Sequence, residues 1–186
     1  MEIIKTELPG VLIIEPDVFT DSRGYFFESF NQKKFDKAVG QHIEFVQDNE
    51  SKSSYGVLRG LHFQKAPYAQ SKLVRCVRGS VLDVAVDVNP ESPTFRKHVA
   101  VELTEGNHLQ FFIPKGYAHG FVVLSETAVF QYKCDDFWHP EAEDGIQALD
   151  DSLGIDWIVP KEHILMSDKD KVRGKLKMSM TGWSRH

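Results

Sequence analysis

Polar side chains interrupt a strongly apolar, strand-like run in the first half of the chain. Residues 57–64 read VLRGLHFQ, which sets Arg59 and His62 among Val, Leu and Phe. A charged or titratable group in such a run must find a partner or serve a function. A histidine titrates near neutral pH, so it can act as a base when a carboxylate fixes its tautomer. The open question is what Arg59 and His62 face.

Two further side chains on predicted strands would complete acid–base chemistry. Tyr132, in VFQYKC, carries a phenolic proton among apolar neighbours, and Lys72, at the start of KLVRCV, is a cation that could stabilise an oxyanion. A base, a phenol and a cation suit proton abstraction beside a carbonyl, followed by return of a proton to the opposite face. Histidines, tyrosines and lysines on strands are more often structural, so their types and spacing alone do not establish this chemistry.

The segment IPKGYAHGF, residues 113–121, resembles the second motif of the cupins, in which a PxGxxH turn carries a histidine into a jelly roll. Many cupins bind a metal through two histidines and a glutamate of the first motif and a histidine of the second. Here the HxH position reads His62-Phe63-Gln64, and KLVRCVRGSV holds no glutamate. Because His62 and His119 alone make a poor metal site, we expect no metal.

Composition and charge limit the class of protein. The chain has 186 residues, of which 41% are hydrophobic, enough for one core and one domain. A net charge of -5 argues against nucleic acid as a partner. No run approaches the ~18 apolar residues of a spanning helix, so we expect no membrane association and a cytoplasmic protein. Cys76 and Cys134 lack disulfide or zinc spacing and are expected to be buried thiols.

Short apolar runs bounded by turn residues predict an all-β fold, a sandwich or a barrel with few helices. Asn31 can cap a helix over QKKFDKAV that Gly40 ends, and a turn is expected at residues 150–154. Arg78-Gly79-Ser80 predicts a tight hairpin. The ten predicted strands are VLIIEPDVF, YFFESF, HIEFVQ, VLRGLHF, KLVRCV, SVLDVAVDV, KHVAVEL, HLQFFI, GFVVLS and AVFQYKC.

An ordered set of motifs resembles the dTDP-4-dehydrorhamnose 3,5-epimerases. The motifs are VFTDSRGYFFESFN, FVQDNESKS, VLRGLHFQ, KLVRCVRGSVLDVAVDV, ESPTF, IPKGYAHGFVVLSE and LMSDKD, which span roughly residues 3–170. The resemblance implies a cupin-like jelly roll that needs neither metal nor cofactor and works as a homodimer. It implies conversion of dTDP-4-dehydro-6-deoxy-D-glucose to dTDP-4-dehydro-L-rhamnose, by inversion of C3 and C5 beside the C4 ketone.

The resemblance also implies roles for individual residues. His62 matches the family's general base, Asp170 the carboxylate that orients it, and Tyr132 the general acid on the opposite face of the sugar. Lys72 matches the residue that stabilises the C4 enolate. The matched substrate-binding positions are Arg23, Glu28, Gln47, Asp48, Asn49, Arg59, Lys72, His119, Glu143 and Lys169.

Some of these positions carry further expectations. The segment that contains Arg23 and Glu28 comes from the neighbouring subunit in the family, so residues 1–50 are expected to add strands at the dimer interface. Trp138 stands where many relatives have a tyrosine that stacks on thymine, and its larger ring should still bind the base. Residues 171–186 are expected to form a basic tail, for which the resemblance gives no function.

Two local questions stay open at this point. Strict alternation would put Arg59 and His62 on opposite faces of a strand, so we predict a bend or bulge at Gly60 that lets both reach one pocket. Asp83, in VLDVAVDV, could point inward with Val81 and Ala85 or lie exposed, and it is not assigned a catalytic role.

Two alternative functions also remain. The chain could be a relative that epimerises one carbon or shifts the ketone of a dTDP-deoxysugar. It could also be a non-catalytic cupin that only binds a sugar nucleotide, although such a binder would need none of His62, Asp170 and Tyr132.

Overall fold

The computed structural model describes residues 1–177, which form thirteen strands and two α-helices. No helix within this range is long and apolar enough to cross a membrane. The strands are β1 Glu2–Lys5, β2 Leu12–Glu15, β3 Val18–Asp21, β4 Gly24–Phe27, β5 Gln47–Ser54, β6 Leu58–Gln64, β7 Lys72–Arg78, β8 Ser80–Asp87, β9 His98–Thr104, β10 Gln110–Ile113, β11 Tyr117–Val123, β12 Thr127–Cys134 and β13 Glu143–Gly145. The helices are α1 Gln32–Val39 and α2 Asp168–Lys171, and short 3-10 helices lie at Asp151–Leu153 and Lys161–His163.

Two antiparallel sheets face each other. The first has the order β1-β2-β10-β7-β12-β5, and the second has the order β13-β6-β11-β8-β9. A separate two-stranded ribbon is formed by β3 and β4. This arrangement confirms the predicted all-β, cupin-like sandwich with few helices.

Three apolar clusters hold these layers together. One lies between the sheets, around residues such as Val74, Phe111 and Phe130. A second covers the outer face of the β13–β9 sheet, where the chain after residue 145 packs Trp157 onto it. The third covers the outer face of the other sheet, where Phe35 of α1 is buried. Full burial of one such side chain contributes roughly 2 kcal/mol, so both outer covers stabilise the sandwich.

The local signals for turns and helix ends were reliable. The Asn31 side chain accepts a hydrogen bond from the Lys34 N–H, and Gly40 ends α1 in the left-handed conformation. The 3-10 helix at Asp151–Leu153 and the hairpin between β7 and β8 also lie where the sequence predicts them. Cys76 and Cys134 are free and buried, as expected.

Two strand predictions were wrong in detail, and two short strands were missed. VLIIEPDVF is two strands, β2 and β3, because Pro16 cannot donate to a ladder. Most of HIEFVQ is irregular, and the strand is the polar segment QDNESKSS that follows it. Apolar alternation could not reveal β5, because its side chains face water on one side and a polar cavity on the other. The short strands β1 and β13 were not predicted at all.

The predicted distortion at Gly60 is confirmed. Between β6 and β11, His62 pairs with His119, and Arg59 pairs with Phe121. β6 therefore has two residues between these pairs, whereas β11 has one, which is the pattern of a bulge. Gly60 has φ +134°, a backbone conformation that residues other than glycine rarely adopt. The extra residue turns Arg59 and His62 toward the same cavity.

The first residues of the predicted basic tail are in contact with the rest of the protein. Leu176 is buried in the second cluster, and the Arg173 side chain is 8% exposed, so residues 171–177 pack against the sandwich. The rest of the predicted tail, residues 178–186, lies outside the described residues.

Gly60→Ala should destabilise the fold strongly. A Cβ there would lie 2.6 Å from the Gly120 Cα and 2.9 Å from the His119 carbonyl oxygen, at an unfavourable φ. We expect the free energy of unfolding to fall by about 2 kcal/mol or more, measured by urea denaturation. In the control Gly106→Ala, the nearest atom is 3.8 Å away, and the change should stay within about 0.5 kcal/mol. Equal effects of the two substitutions would contradict this account of the bulge.

Candidate active site

A cavity of about 980 Å³ opens between the two sheets. One wall comes from β6, β11 and β13, and the other comes from β5, β7 and β12. Its polar lining includes most of the residues that the sequence singled out. These are Gln47, Asn49, Arg59, His62, Lys72, His119, Tyr132, Trp138, Glu143, Lys169 and Asp170.

His62 and Asp170 form a dyad on the first wall. His62 Nε2 lies 2.6 Å from Asp170 Oδ1, and the Asp170 side chain is only 6% exposed. Burial by itself raises the pKa of Asp170, but the hydrogen bonds from His62, Arg173 and Ser167 outweigh it and lower the pKa to about 2. The carboxylate is therefore charged at neutral pH and can stabilise an imidazolium.

The chain after the sandwich carries Asp170 to this wall. Leu165 pairs with Val57 in a short parallel bridge, and the Leu58 N–H donates to the Leu165 carbonyl at 2.8 Å. Ser167 then caps α2 by accepting a hydrogen bond from the Asp170 N–H. These anchors fix the start of α2 beside β6, so a residue 108 positions away meets His62.

Tyr132 and Lys72 lie on the opposite wall, on the neighbouring strands β12 and β7. Lys72 Nζ lies 5.8 Å from the centre of the Tyr132 ring. Burial raises the pKa of Tyr132, so the phenol holds its proton at neutral pH. Burial lowers the pKa of Lys72, while Cys134, Asp83 and Glu143 act in the other direction.

Asp83 joins the site although the sequence left its position open. It is fully buried, and its two carboxylate oxygens lie 2.9 and 3.0 Å from His119 Nε2. Burial raises the pKa of Asp83, and His119 and Lys72 oppose that rise. The sequence signal for this contact was the position of Asp83 within the otherwise apolar run VLDVAVDV, because a buried aspartate has to be paired.

Arg59 reaches from β6 across the cavity toward β5, at the edge of the first sheet. Its Nε donates to Ser53 Oγ of β5 at 3.1 Å, and its charge lowers the pKa of Tyr132, against the larger effect of burial. The guanidinium therefore leaves further donors for an anionic or polar ligand.

A cluster of polar and aromatic side chains forms the mouth of the cavity. The Trp138 ring is 56% exposed, and its indole Nε1 donates to Glu143 Oε2 at 3.1 Å. Lys169 Nζ donates to the other Glu143 oxygen at 2.5 Å. Gln47 accepts from the Trp138 backbone N–H and donates to Asn49. An exposed aromatic face beside cations and amides suits a nucleotide.

Three candidate residues lie away from this cavity within the chain. Asp48 points to the other side of β5, where it contacts Lys133, because neighbouring residues of a strand face opposite ways. Arg23 lies at the exposed turn of the β3–β4 ribbon and contacts Asp21, whereas Glu28 contacts Lys34. Any contact of Arg23 or Glu28 with a site like this one would need a second subunit.

No group of three histidine, cysteine or acidic side chains that could hold a metal occurs among residues 1–177. His62 and His119 each point Nε2 at a carboxylate instead. Both rings are therefore arranged for hydrogen bonding or proton transfer.

A sequence model of the dTDP-4-dehydrorhamnose 3,5-epimerases matches residues 5–178. The chain belongs to this family. It is 58% identical to the dTDP-4-dehydrorhamnose 3,5-epimerase of Shigella flexneri over 170 residues, which cover 91% of this chain and 93% of the relative. This agreement confirms the family resemblance read from the motifs.

Solved structures of the epimerase family share the fold. The dTDP-4-dehydrorhamnose 3,5-epimerase of Elizabethkingia anophelis is 53% identical, with a TM-score of 0.92 over 96% of this chain and 98% of that one. A dTDP-6-deoxy-D-glucose-3,5-epimerase from Legionella pneumophila, solved in complex with dTDP-4-keto-L-rhamnose, is 48% identical. Its TM-score is 0.90 over 94% of this chain and 92% of that chain.

The dyad of this epimerase-family protein should make the free energy of unfolding depend on pH. The pKa of Asp170 is lowered by folding, so its stabilisation is complete above about pH 4 and is lost as the pH falls toward 2. We expect the gap in unfolding free energy between wild type and Asp170→Asn to shrink by about 1 kcal/mol from pH 5 to pH 3, measured by urea denaturation. Asp168→Asn is the control, because that side chain is fully exposed and forms only an exposed ion pair with Lys171. The same pH dependence in both variants would contradict the dyad's charge state.

Proposed function

We propose that this protein epimerises dTDP-4-dehydro-6-deoxy-D-glucose at C3 and C5 to give dTDP-4-dehydro-L-rhamnose, the step that family membership implies in dTDP-L-rhamnose biosynthesis. The observation that carries the proposal is the pair of opposed walls. A histidine–carboxylate dyad lies on one sheet, and a buried, protonated phenol lies on the other. Inversion at carbon needs a base on one face and an acid on the other.

In the first step, His62 removes the proton from the carbon beside the C4 ketone. The C–H electron pair moves into a C=C bond, and the carbonyl oxygen becomes an enolate oxygen. Asp170 stabilises the imidazolium that forms, because it stays charged at 2.6 Å from Nε2. Lys72, on the facing wall, supplies the positive charge for the enolate oxygen.

In the second step, Tyr132 donates its proton to the same carbon from the opposite face, and the enolate returns to a ketone. The raised pKa of Tyr132 ensures that the phenol carries a proton to give. Exchange with solvent then restores the tyrosine proton and removes the proton from His62. The sequence repeats at the second carbon, and no atoms other than protons are exchanged.

The nucleotide half of the substrate would bind at the mouth. Trp138 offers an exposed ring on which a base can stack, while Arg59 and Lys169 supply positive charge for the diphosphate. Gln47 and Asn49 lie beside Trp138 and suit hydrogen bonds to the base or the sugar. The ligand of the Legionella relative, dTDP-4-keto-L-rhamnose, is consistent with this assignment.

The protein is proposed to act as a homodimer in which residues 1–50 add strands at the interface and the β3–β4 ribbon reaches the neighbour's site. The β3–β4 ribbon supports this, because Phe19 is 64% exposed and Phe26 is 69% exposed, an unusual state for such large apolar side chains. Arg23, at the tip of the ribbon, and Glu28, just after it, would then complete the partner's site.

The assignment of His62 and Tyr132 to opposite faces of the sugar can be tested with chelator-treated protein in deuterium oxide, by measuring deuterium incorporation into the dTDP-sugar. His62→Asn should lower turnover by about a hundredfold or more and abolish exchange at both carbons, since the base is gone. Tyr132→Phe should still exchange deuterium at a carbon but fail to complete inversion. Proton NMR of the product, trapped by a reductase that consumes it, measures both properties. Equal exchange in the two variants would contradict the assignment.

The wild-type protein distinguishes the alternatives in the same experiment. Deuterium at both carbons with the L-rhamno configuration supports the 3,5-epimerase and turnover without a metal. Label at one carbon alone would indicate a single epimerase, and a shifted ketone would indicate an isomerase. No label, with the ligand still bound, would leave a sugar-nucleotide-binding protein.

The shared site can be tested by mixing two inactive variants. In a hybrid of Arg23→Ala and His62→Asn subunits, one site holds wild-type His62 and receives wild-type Arg23 from the partner. We therefore expect the co-expressed, doubly tagged hybrid to recover about half the turnover of a wild-type dimer. Turnover no greater than that of the parent variants would show that Arg23 does not serve the neighbouring site.

A further inference from the structure

Arg173 is a buried cation to which the family motifs quoted above assign no role. Its side chain is 8% exposed, although the segment that contains it was expected to be a basic tail. Nε donates to Asp170 Oδ1 at 3.1 Å, and Nη2 donates to Glu143 Oε1 at 2.9 Å. One guanidinium therefore bridges the dyad carboxylate and the carboxylate that contacts Trp138.

The contact with Asp170 is directed at the oxygen that the base uses. Asp170 Oδ1 lies 2.6 Å from His62 Nε2 and 3.1 Å from Arg173 Nε. Both groups share this one oxygen, so the rotation of the carboxylate is fixed from two sides.

The glycine at position 145 lets the Arg173 side chain approach the backbone of β13. Gly145 pairs with His62 of β6, and a Cβ on Gly145 would lie 2.7 Å from both Cδ and Nε of Arg173. The arginine therefore packs closely against the strand residue that neighbours the histidine.

The charges around the dyad determine what this contact does. A carboxylate with a single partner, an imidazole, favours the protonated ring, and a protonated ring cannot accept a proton. A guanidinium on the same oxygen draws off part of the negative charge, which favours the neutral ring. The charged or titratable groups that face Asp170 and His62 from α2, β13 and the following segment are Lys169, Glu143 and Arg173. His119 of β11, which contacts Asp83, lies opposite His62, Arg59 lies on β6 itself, and Tyr132 and Lys72 face the dyad across the cavity.

We propose that Arg173 is a positioning residue that holds the Asp170 carboxylate in line with His62 and keeps the imidazole free to accept a proton at neutral pH. This role rests on the proposed epimerase function. Arg173 does not line the cavity, so it acts on the reaction through Asp170.

The test compares Arg173→Met with Arg173→Lys across a pH series. For Arg173→Met we expect kcat to fall about tenfold or more, with KM changed less than threefold. The acid limb of kcat/KM should move to higher pH by about half a unit or more, because Asp170 then stabilises the imidazolium more strongly. Arg173→Lys should return the acid limb to its wild-type position and restore kcat in part. Arg173→Gln keeps donors without the charge, and it carries the same expected shift should the methionine variant not fold.

Lys171→Met is the matched control, since it removes a positive charge from the same segment at an exposed position. It should leave kcat and the pH profile unchanged. An Arg173→Met protein with a lower unfolding temperature but an unmoved acid limb would overturn the proposal, because Arg173 would then only fasten the segment.

A second measurement does not depend on turnover. NMR titration of ¹³C-labelled histidine, with the His62 signal assigned by His62→Asn, should show the imidazole titrating at higher pH in Arg173→Met than in wild type. If the wild type does not turn over the dTDP-sugar, the proposed function fails while this titration still tests the effect of Arg173. An unchanged titration in an active enzyme overturns the role of Arg173 and leaves the epimerase assignment intact.

Discussion

The hydrogen bond between His62 and Asp170 is the interaction on which the site depends. It joins β6, in the middle of the sandwich, to a short helix near the end of the described chain. An imidazole alone on a cavity wall has no fixed tautomer, and an aspartate buried alone would be driven toward its neutral form. The carboxylate fixes the tautomer of the imidazole, and the imidazole helps to keep the carboxylate charged. The apolar cover over the β13–β9 sheet holds the two groups in contact.

The two walls use burial in opposite ways. On the first wall, hydrogen bonds overcome burial and keep Asp170 charged, whereas on the second wall burial prevails and keeps Tyr132 protonated. A β-sandwich suits this division, because each sheet offers its own set of inward-facing positions across one gap. The polar strand β5 completes the second wall, since alternate residues of it face the cavity.

The sequence predicted the parts of the molecule that rest on local rules. The caps of α1, the turn after Asp150, the β7–β8 hairpin and the bulge at Gly60 each follow from the chemistry of a few adjacent residues. The motifs also predicted the family, and with it the cupin-like fold. Strand β5 was not predicted, because a strand between water and a polar cavity shows no apolar alternation.

Contacts between distant residues could not be read from the sequence. Nothing in VLDVAVDV says that Asp83 meets His119, and nothing in DKDKVRG says that Arg173 packs against Gly145. Those pairings depend on strand register and on the path of residues 146–177 over the outer face of a sheet. An aspartate within an otherwise apolar run was a hint for Asp83, but an arginine among lysines gave none for Arg173.

The path of that covering segment also makes the site depend on the last part of the described chain. A nascent chain that has emerged only as far as Leu165 already contains every strand of both sheets, together with His62, Lys72 and Tyr132. It lacks Asp170, and therefore has a cavity without an aligned base. The segment that covers the outer face of the sheet thus also supplies Lys169 and Asp170, so one stretch of chain completes both the apolar cover and the site.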